Sequence, residues 1–589
     1  MKQAKDHFVT NIVTEALNVN DTKPFWKFVR SKRCDNTGIA PLKDDGRLFS
    51  DSQNKADILN RQFTSVFTRE DTSSIPPLPD RNYPSMPNIV VQIPGVKKLL
   101  SNIKPNKASG PDAIPCRLLK ETAEEIAPIL ADIFNESLSS GHLPDDWKTA
   151  NVAPVFKKGN TNLAENYRPI SLTCVCCKLL EHIICHSVRD HLERHNILSV
   201  FQHGFRSGHS CDSQLLSTVH HFMQLFDSRS QVDVAVLDFS KAFDVVLHHR
   251  LLGKVQHYGI NGCTLDWIDD FLSGRTQRVV VDGAHSDWSE VQSGVPQGTV
   301  LGPLLFLIYI NDLPDCISSS VRLFADDCLV YRKICTVDDQ LALQRDLDAL
   351  DQWAVAWGMK FNPGKCNILS ISSSVALHRY YTLCGTVLKH VSEAKYLGVT
   401  LSDDLRWGKH IQQLTSRASS TLGLLKRNFS KCPTELREQA YFALVRSRLE
   451  YCAAIWDPYL SKDINALENI QRRAARFVSQ DYSRYTSVSG LLKELNWAPL
   501  KDRRRHIRLA FLFKIIRGKV AVQAEDTLIA SDPRTRKNHD YRFRHIKPNT
   551  EQFKNSFFVV SIPEWNNLPA SCVEVDTVPT FQAALRRIP

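Results

Sequence analysis

The chain has 589 residues, 43% of them hydrophobic, and a formal net charge of +11, which excludes a disordered tract and a single small core and calls for several subdomains. No apolar segment follows a basic start, and the longest apolar run, Val300 to Ile310, is broken by Gly302 and Pro303 and is too short for a bilayer, so no membrane partner is expected. Its 16 cysteines form no regular framework and suit a reducing compartment; the expected location is intracellular, nucleus or cytoplasm, without a clear targeting signal.

The charge is uneven. Residues 406–589 hold 32 Lys+Arg against 17 Asp+Glu, whereas residues 1–405 hold 42 against 46. A basic segment beside an acidic half fits a polyanion held by one part and processed by another; a merely solvated basic face fits the charge count equally well.

Residues 1–70 alternate helical patches such as Asp51 to Phe67 with turn chemistry at Lys43-Asp-Asp-Gly-Arg47, and they carry no catalytic pattern. Six prolines between Ile75 and Pro94, among few charges, read as an extended linker, with a compact unit starting after it. The stretch Ile103 to Pro115 reads as a loop around Ser109-Gly-Pro-Asp112, followed by helical periodicity through Ser139. A strand, Ala150 to Phe156, then runs into Lys157-Lys-Gly159 and Glu165-Asn-Tyr-Arg-Pro-Ile-Ser-Leu172. There Lys157, Lys158 and Arg168 can converge on a triphosphate, Arg being suited to bidentate phosphate contact.

Residues 173–226 read as helices interrupted by Gly204 to Gly208. Cys174 and Cys177 have CxxC spacing without a second Cys/His pair, and the His182/His186 and His191/His195 pairs lack the Glu of a metalloprotease helix, so neither set is read as a metal site. Next, Val234-Ala-Val-Leu237 leads straight into Asp238. Leu251 to Leu272 is mostly helical, Gln277 to Gln292 reads as a hairpin, and Gly294-Val-Pro-Gln-Gly298 introduces the apolar helix Val300 to Leu313. Its glycines let the backbone approach a substrate, and Gln297 offers an orienting amide, although an ordinary helix-start loop has the same composition.

The stretch Val321 to Tyr331 places two adjacent carboxylates, Asp326 and Asp327, between apolar runs of β-forming residues, as a hairpin carries acids at its turn. Neighbouring acids repel, so such a pair is stable mainly beside a cation. With Asp238 at a second strand end, the chain carries two strand-borne carboxylate sites of the kind that hold two hard divalent cations about 4 Å apart for in-line phosphoryl displacement. Beyond them lie the amphipathic Val337 to Gly358, the Lys360-Phe-Asn-Pro-Gly-Lys365 loop, a strand pair ending in Tyr396-Leu-Gly-Val-Thr-Leu401, basic helices over 410–478, and a tail from Lys501 to Lys547 in which Tyr541-Arg-Phe-Arg-His545 interleaves aromatics and cations.

In order, Ser109-Gly-Pro-Asp112, Asn166-Tyr-Arg-Pro-Ile170, Leu237-Asp-Phe-Ser-Lys-Ala-Phe-Asp244, Gly294-Val-Pro-Gln-Gly298, Phe324-Ala-Asp-Asp327 and Tyr396-Leu-Gly398 resemble the reverse transcriptases of non-LTR (LINE-type, jockey-like) retrotransposons over most of residues 100–480. That resemblance implies an α+β right-hand polymerase with helical fingers, an antiparallel-sheet palm and a helical thumb. It divides the chain into an N-terminal region and Pro-rich linker (1–100), fingers (101–237), palm (238–405, within a reverse transcriptase domain of about 138–405), a thumb-like helical region (406–500) and a basic C-terminal region (501–589). By the same resemblance Asp238, Asp326 and Asp327, with the backbone carbonyl of Phe239, hold two Mg2+ ions, Mn2+ being an alternative. Phe243 is the aromatic gate under the 2′ position of the incoming sugar, Gln297 packs its ribose, Lys157 and Arg168 grip the triphosphate, and Lys365 is the general acid for the leaving pyrophosphate. The partners implied are an RNA template, a DNA primer and deoxynucleoside triphosphates.

Phe324 stands where many relatives have Tyr, both packing aromatics. Relatives of this class usually begin with an endonuclease domain, whose motifs are not found in the first 100 residues, so a copy lacking that domain is expected. No C-terminal Cys/His knuckle is found either, since only Cys572 lies beyond residue 452. The competing expectations are a catalytically inactive RNA-binding scaffold and a group II intron maturase-like protein.

Overall fold

The computed structural model describes residues 23–33, 38–68, 75–373, 377, 379–532 and 539–588; parts of the region expected at 1–100, and 533–538 of the basic C-terminal stretch, lie outside them. The architecture is α+β, with two five-stranded sheets and helices packed around them. Among the described residues no helix is long and apolar enough to cross a membrane.

The strand Gln231–Leu237 is the middle of the first sheet, in the order Lys389–Val391, Asn367–Ile371, Gln231–Leu237, Asp327–Ile334, Ser320–Phe324. All its neighbouring pairs are antiparallel except the outer one between Asn367–Ile371 and Lys389–Val391. Its apolar side chains alternate between two cores: Val232 and Val234 face one, Ala235 and Leu237 the other. A sheet buried on both faces needs apolar residues at every position, which is why this strand reads as an unbroken apolar run. The one acid inside it, Asp233, is fully buried and accepts from Gln231 Nε2 at 2.8 Å and Tyr381 Oη at 2.6 Å, the partners a buried carboxylate requires. The sheet therefore starts at Gln231, ahead of the palm boundary expected at 238.

One face is covered by the helix Cys211–Asp227, through Leu215, Val219, Phe222 and Phe226, and beyond it by the helices Gly408–Phe429, Ser461–Ser479 and Leu500–Ile516. A capping box, Ser210 with Ser213, starts the Cys211–Asp227 helix. The other face is covered by Val175–Arg194, Gly302–Tyr309 and Val337–Ala356. The second sheet runs Tyr167–Leu172, Thr149–Phe156, Thr276–Val281, Ala284–His285, with Ser289–Glu290 also paired to Thr276–Val281. Helix Ser52–Thr64 lays Ile58, Leu59 and Phe63 on it against Val152, Val279 and Val281.

The proline-rich stretch carries no secondary structure before Ile93, as an extended segment should, yet it does not hang free. Met86 and Val91 are buried in the second core, Met86 N donates to Gly259 O at 2.8 Å, and Asn135 bonds both backbone groups of Val91 at 2.8 and 3.0 Å. The expectation that the compact unit starts after this segment is corrected: it is a strap across the helical side.

The basic C-terminal stretch is also built into the body. Arg504 is 1% exposed and donates to Asp457 Oδ1 at 2.7 Å; Arg508 pairs with Asp457 and, at 2.8 Å, with Glu564; Arg503 pairs with Glu450. Tyr541 carries the Arg517 guanidinium 4.8 Å from its ring centre and accepts from Trp565 Nε1 through its carbonyl at 2.6 Å. Four cations of this stretch, Arg503, Arg504, Arg505 and Arg508, are thus paired within the protein, whereas Tyr541, Arg544, His545 and Lys547 are exposed. The region is tied back to the first sheet's covering helix by Asp227, which accepts from Asn549 N (2.9 Å), Asn549 Nδ2 (3.1 Å), Thr550 N (2.7 Å) and Thr550 Oγ1 (2.8 Å).

Asp227→Ala removes the acceptor for four donors and should cost about 2–3 kcal/mol locally. The variant is expected to melt at a lower temperature and to be cut by trypsin after Arg542 or Arg544 faster than the wild type; identical digestion time courses would show that the segment is held elsewhere.

Candidate active site

The hairpin of Ser320–Phe324 and Asp327–Ile334 pairs Phe324 with Asp327, so Ala325 and Asp326 are its two-residue turn. Ala325 has φ +53°, a left-handed conformation that costs an L-residue about 1–2 kcal/mol. It is held by Gln202, whose Oε1 accepts from Ala325 N at 2.9 Å and from Gly204 N at 2.7 Å. The chain at Phe201 to His203 runs beside the hairpin, with His203 N donating to Leu323 O and Leu323 N to Phe201 O at 2.9 and 3.0 Å. Contact is so close that a Cβ on Gly204 would lie 2.3 Å from Ala325 N. Gln202 and Gly204 were missed by sequence reasoning, whose only sign of them was a glycine-bearing break between two helices.

Register does the next step. Cys328 lies opposite Leu237, so Asp327 and Asp238 leave their strands at the same end of the sheet. Asp238 O accepts from Asn362 N at 2.8 Å, Ser240 N donates to Lys360 O at 2.8 Å, and Phe239 stacks on Phe361 at 4.2 Å between ring centres. This stitching lays the Lys360–Lys365 loop beside the strand end and brings Lys365 Nζ to 3.1 Å from Asp238 Oδ2.

Desolvation in the cleft raises the Asp326 carboxyl, and the charge of Asp238 raises it further. Asp327 is pushed up to about 6, first by desolvation and then by Asp326 and Asp238; its own opening to solvent screens part of that repulsion. On the opposite wall, Val155 pairs with Arg168 and Phe156 with Tyr167, which places Lys157 and Arg168 at one strand end. Desolvation and then the Arg168, Lys158 and Lys365 charges lower the Lys157 ammonium, while Asp238 acts against that shift. Cations and carboxylates thus share one cleft of about 490 Å³, whose lining includes Lys157, Arg168, Asp238, Asp326 and Lys365.

Phe239, Phe243 and Gln297 line the same cleft. Phe243 stacks on Phe306 at 4.1 Å with 21° between planes. The Gly294–Gly298 loop is sewn to the turn after Asp238: Gly294 N donates to Val246 O and Val295 N to Phe243 O, both at 2.8 Å, while Gln297 Nε2 donates to Asp244 Oδ1 at 2.9 Å. Gly294 (φ +89°) and Gly298 (φ +111°) have no room for a Cβ, which would meet Asp244 O and Ser171 O at 2.7 and 2.6 Å. Asp244, whose carboxyl is raised by burial despite that bond, is the third residue that sequence reading left without a role. The three acids do not form a closed cage: among the described residues no group of three His, Cys, Asp or Glu could by itself hold a metal ion. What they offer is hard oxygen donors that repel one another at an open cleft, which is the donor chemistry of a divalent cation sharing its shell with a phosphate substrate.

Residues 155–401 match the family described as reverse transcriptase (RNA-dependent DNA polymerase). The chain is 30% identical over 410 residues to an RNA-directed DNA polymerase from mobile element jockey of Drosophila funebris, a match covering 67% of this chain and 44% of that protein. It is 29% identical over 435 residues to a probable RNA-directed DNA polymerase from transposon BS of Drosophila melanogaster (70% and 47%), and 27% identical over 480 residues to the jockey polymerase of that species (78% and 52%). The chain spans about half the length of the curated relatives it matches.

Gly204→Ala should displace the Ala325 turn at a cost of about 1–3 kcal/mol, lowering the melting temperature, whereas Gly95→Ala, with open space at its Cβ, should be neutral or slightly stabilising. Equal melting temperatures for the two variants would mean that the turn yields freely.

Proposed function

We propose, from the match of residues 155–401 to the reverse transcriptase (RNA-dependent DNA polymerase) family, that this chain is the RNA-directed DNA polymerase of a non-LTR mobile element, extending a DNA primer on an RNA template. The observation that carries the reading is the meeting of Asp238, Asp326, Lys157, Arg168 and Lys365 in one cleft at the Ala325–Asp326 turn.

Asp238, Asp326, Asp327 and the Phe239 carbonyl would hold the divalent cations, Mg2+ with Mn2+ as an alternative. Two such ions supply activation of the primer 3′ hydroxyl and neutralisation of the triphosphate. The residues of this chain do the rest by position and charge. Lys157 and Arg168 bind the triphosphate from the far wall. Lys365 carries a proton on Nζ and gives it to the departing pyrophosphate. Phe243, backed by Phe306, cannot retreat and so closes the space a 2′ hydroxyl would need. Gln297, held by Asp244, presents its amide to the sugar. Arg417, Arg427, Arg472 and Arg473, exposed on the helices Gly408–Phe429 and Ser461–Ser479, meet template phosphates without reading sequence. Such a polymerase works where element RNA and target DNA are found, inside the cell.

Extension of oligo(dT) on poly(rA) is the test. Asp326→Asn should lower the rate about a thousandfold, the equivalent of about 4 kcal/mol of transition-state stabilisation, with RNA affinity within about twofold of wild type. A wild-type chain that binds RNA but never extends would make it a scaffold, and an active Asp326→Asn would move the chemistry elsewhere.

The pH profile follows from the raised carboxyls. A carboxyl whose value is pushed up to about 6 is charged only above that pH, and only the charged form holds a cation. Mn2+ affinity and extension rate should therefore both rise between pH 5.5 and 7.5 and then level off. An acidic limb that persists unmoved in the Mn2+ affinity of Asp327→Asn would assign the titration to another group.

A further inference from the structure

We propose that Phe205 is a base-stacking subsite of the cleft, an aromatic platform for a nucleobase at the polymerising end of the bound nucleic acid. The inference rests on the functional reading above and adds a ligand contact to it.

Phe205 is held in an unfavourable position. Its side chain is 50% exposed, and its backbone has φ +53°, the left-handed region that L-residues avoid. An isolated exposed phenylalanine would ordinarily pass without comment. Here, the residues around it fold inward and are bonded. Gln202 and His203 are buried; Gln202 holds the Ala325 turn and His203 Nδ1 meets Ser213 Oγ at 3.1 Å. On the other side Arg206 makes a two-point contact with Glu193, 3.0 and 2.7 Å, and donates to Ser199 O at 2.8 Å. Two anchored neighbours force the chain between them to turn out one side chain, and that side chain enters the cleft. There its ring stands edge-on to Phe243, 6.3 Å between centres and 86° between planes.

The chemistry of the surroundings selects the ligand. Lys157, Arg168 and Lys365 make the cleft attractive to a phosphate-bearing molecule, while its carboxylates exclude an acidic peptide from the same floor. Apolar rings in such a cleft meet the one apolar surface a nucleic acid offers, the face of its base, and stacking on an aromatic side chain contributes about ten- to hundredfold in affinity by alanine substitution. Because Gln202 ties the same segment to the turn that carries Asp326, a base resting on Phe205 is registered against the catalytic carboxylates. The strand that supplies the base is either the template or the primer.

The full chain is mixed with an RNA–DNA primer–template carrying 2-aminopurine either at the templating position or at the primer 3′ end, and fluorescence and affinity are read without catalysis. One of the two placements should be quenched by wild type, restored to the free-probe level with Phe205→Ala and Phe205→Leu, and quenched again with Phe205→Trp; affinity should fall about tenfold or more in Ala and Leu alone. Leucine keeps the apolar volume, so a merely structural phenylalanine would be rescued by Leu and not by Trp. Quenching unchanged in Phe205→Ala at both placements overturns the subsite while leaving the polymerase reading intact if the same preparation still extends oligo(dT). A wild-type chain that binds no primer–template overturns both.

Discussion

Mutual repulsion of carboxylates sets the terms for this molecule. Asp238, Asp326 and Asp327 are brought to one sheet end by the pairing of Gln231–Leu237 with Asp327–Ile334, and desolvation in the cleft, with the neighbouring charges adding to it, raises the carboxyls of the last two. Nothing about such an arrangement is favourable by itself. It persists because the strands that deliver the acids are buried on both faces, each buried Val or Leu contributing about 1.5–3 kcal/mol, so that the site's cost is small beside the cores that flank it. Active sites commonly store strain in this way.

The bracing can be followed outward from the turn. Gln202 and Gly204 support Ala325 from one side, the Lys360–Lys365 loop supports Asp238 from another, and the Gly294–Gly298 loop is stitched to the turn that follows Asp238. The braces are made by backbone groups and by the amides of Gln202 and Gln297, the latter held by the Asp244 carboxylate. Lys365, 3.1 Å from Asp238, supplies a compensating cation beside the site.

Charge has two separate uses here. The surplus of Lys and Arg in residues 406–589 is the most visible feature of the composition, but Arg503, Arg504 and Arg508 are consumed by Glu450, Asp457 and Glu564. Buried guanidinium–carboxylate pairs of this kind hold helices in register rather than attract a polyanion. Net charge counts both uses alike, and only the partners tell them apart.

The local patterns were legible in the sequence. Apolar runs ending in Asp238 and flanking Asp326 and Asp327 required buried strands with acids at their ends, because a sheet covered on both faces tolerates polar residues only where a strand leaves it. The order of the short motifs carried the family, and helix periodicity with Gly and Pro breaks placed most elements. What the sequence could not decide is which distant segments touch. That Gln202 reaches Ala325, that Asp244 holds Gln297, that the proline-rich segment lies against Gly259 and that Asp227 anchors Asn549 and Thr550 all depend on contacts between residues remote in the chain. A single polar side chain in a helix or loop has the same local signature whether it faces water or a buried backbone amide. Only the tertiary structure, by deciding which donors are removed from solvent and must be satisfied, turns such residues into structural ones.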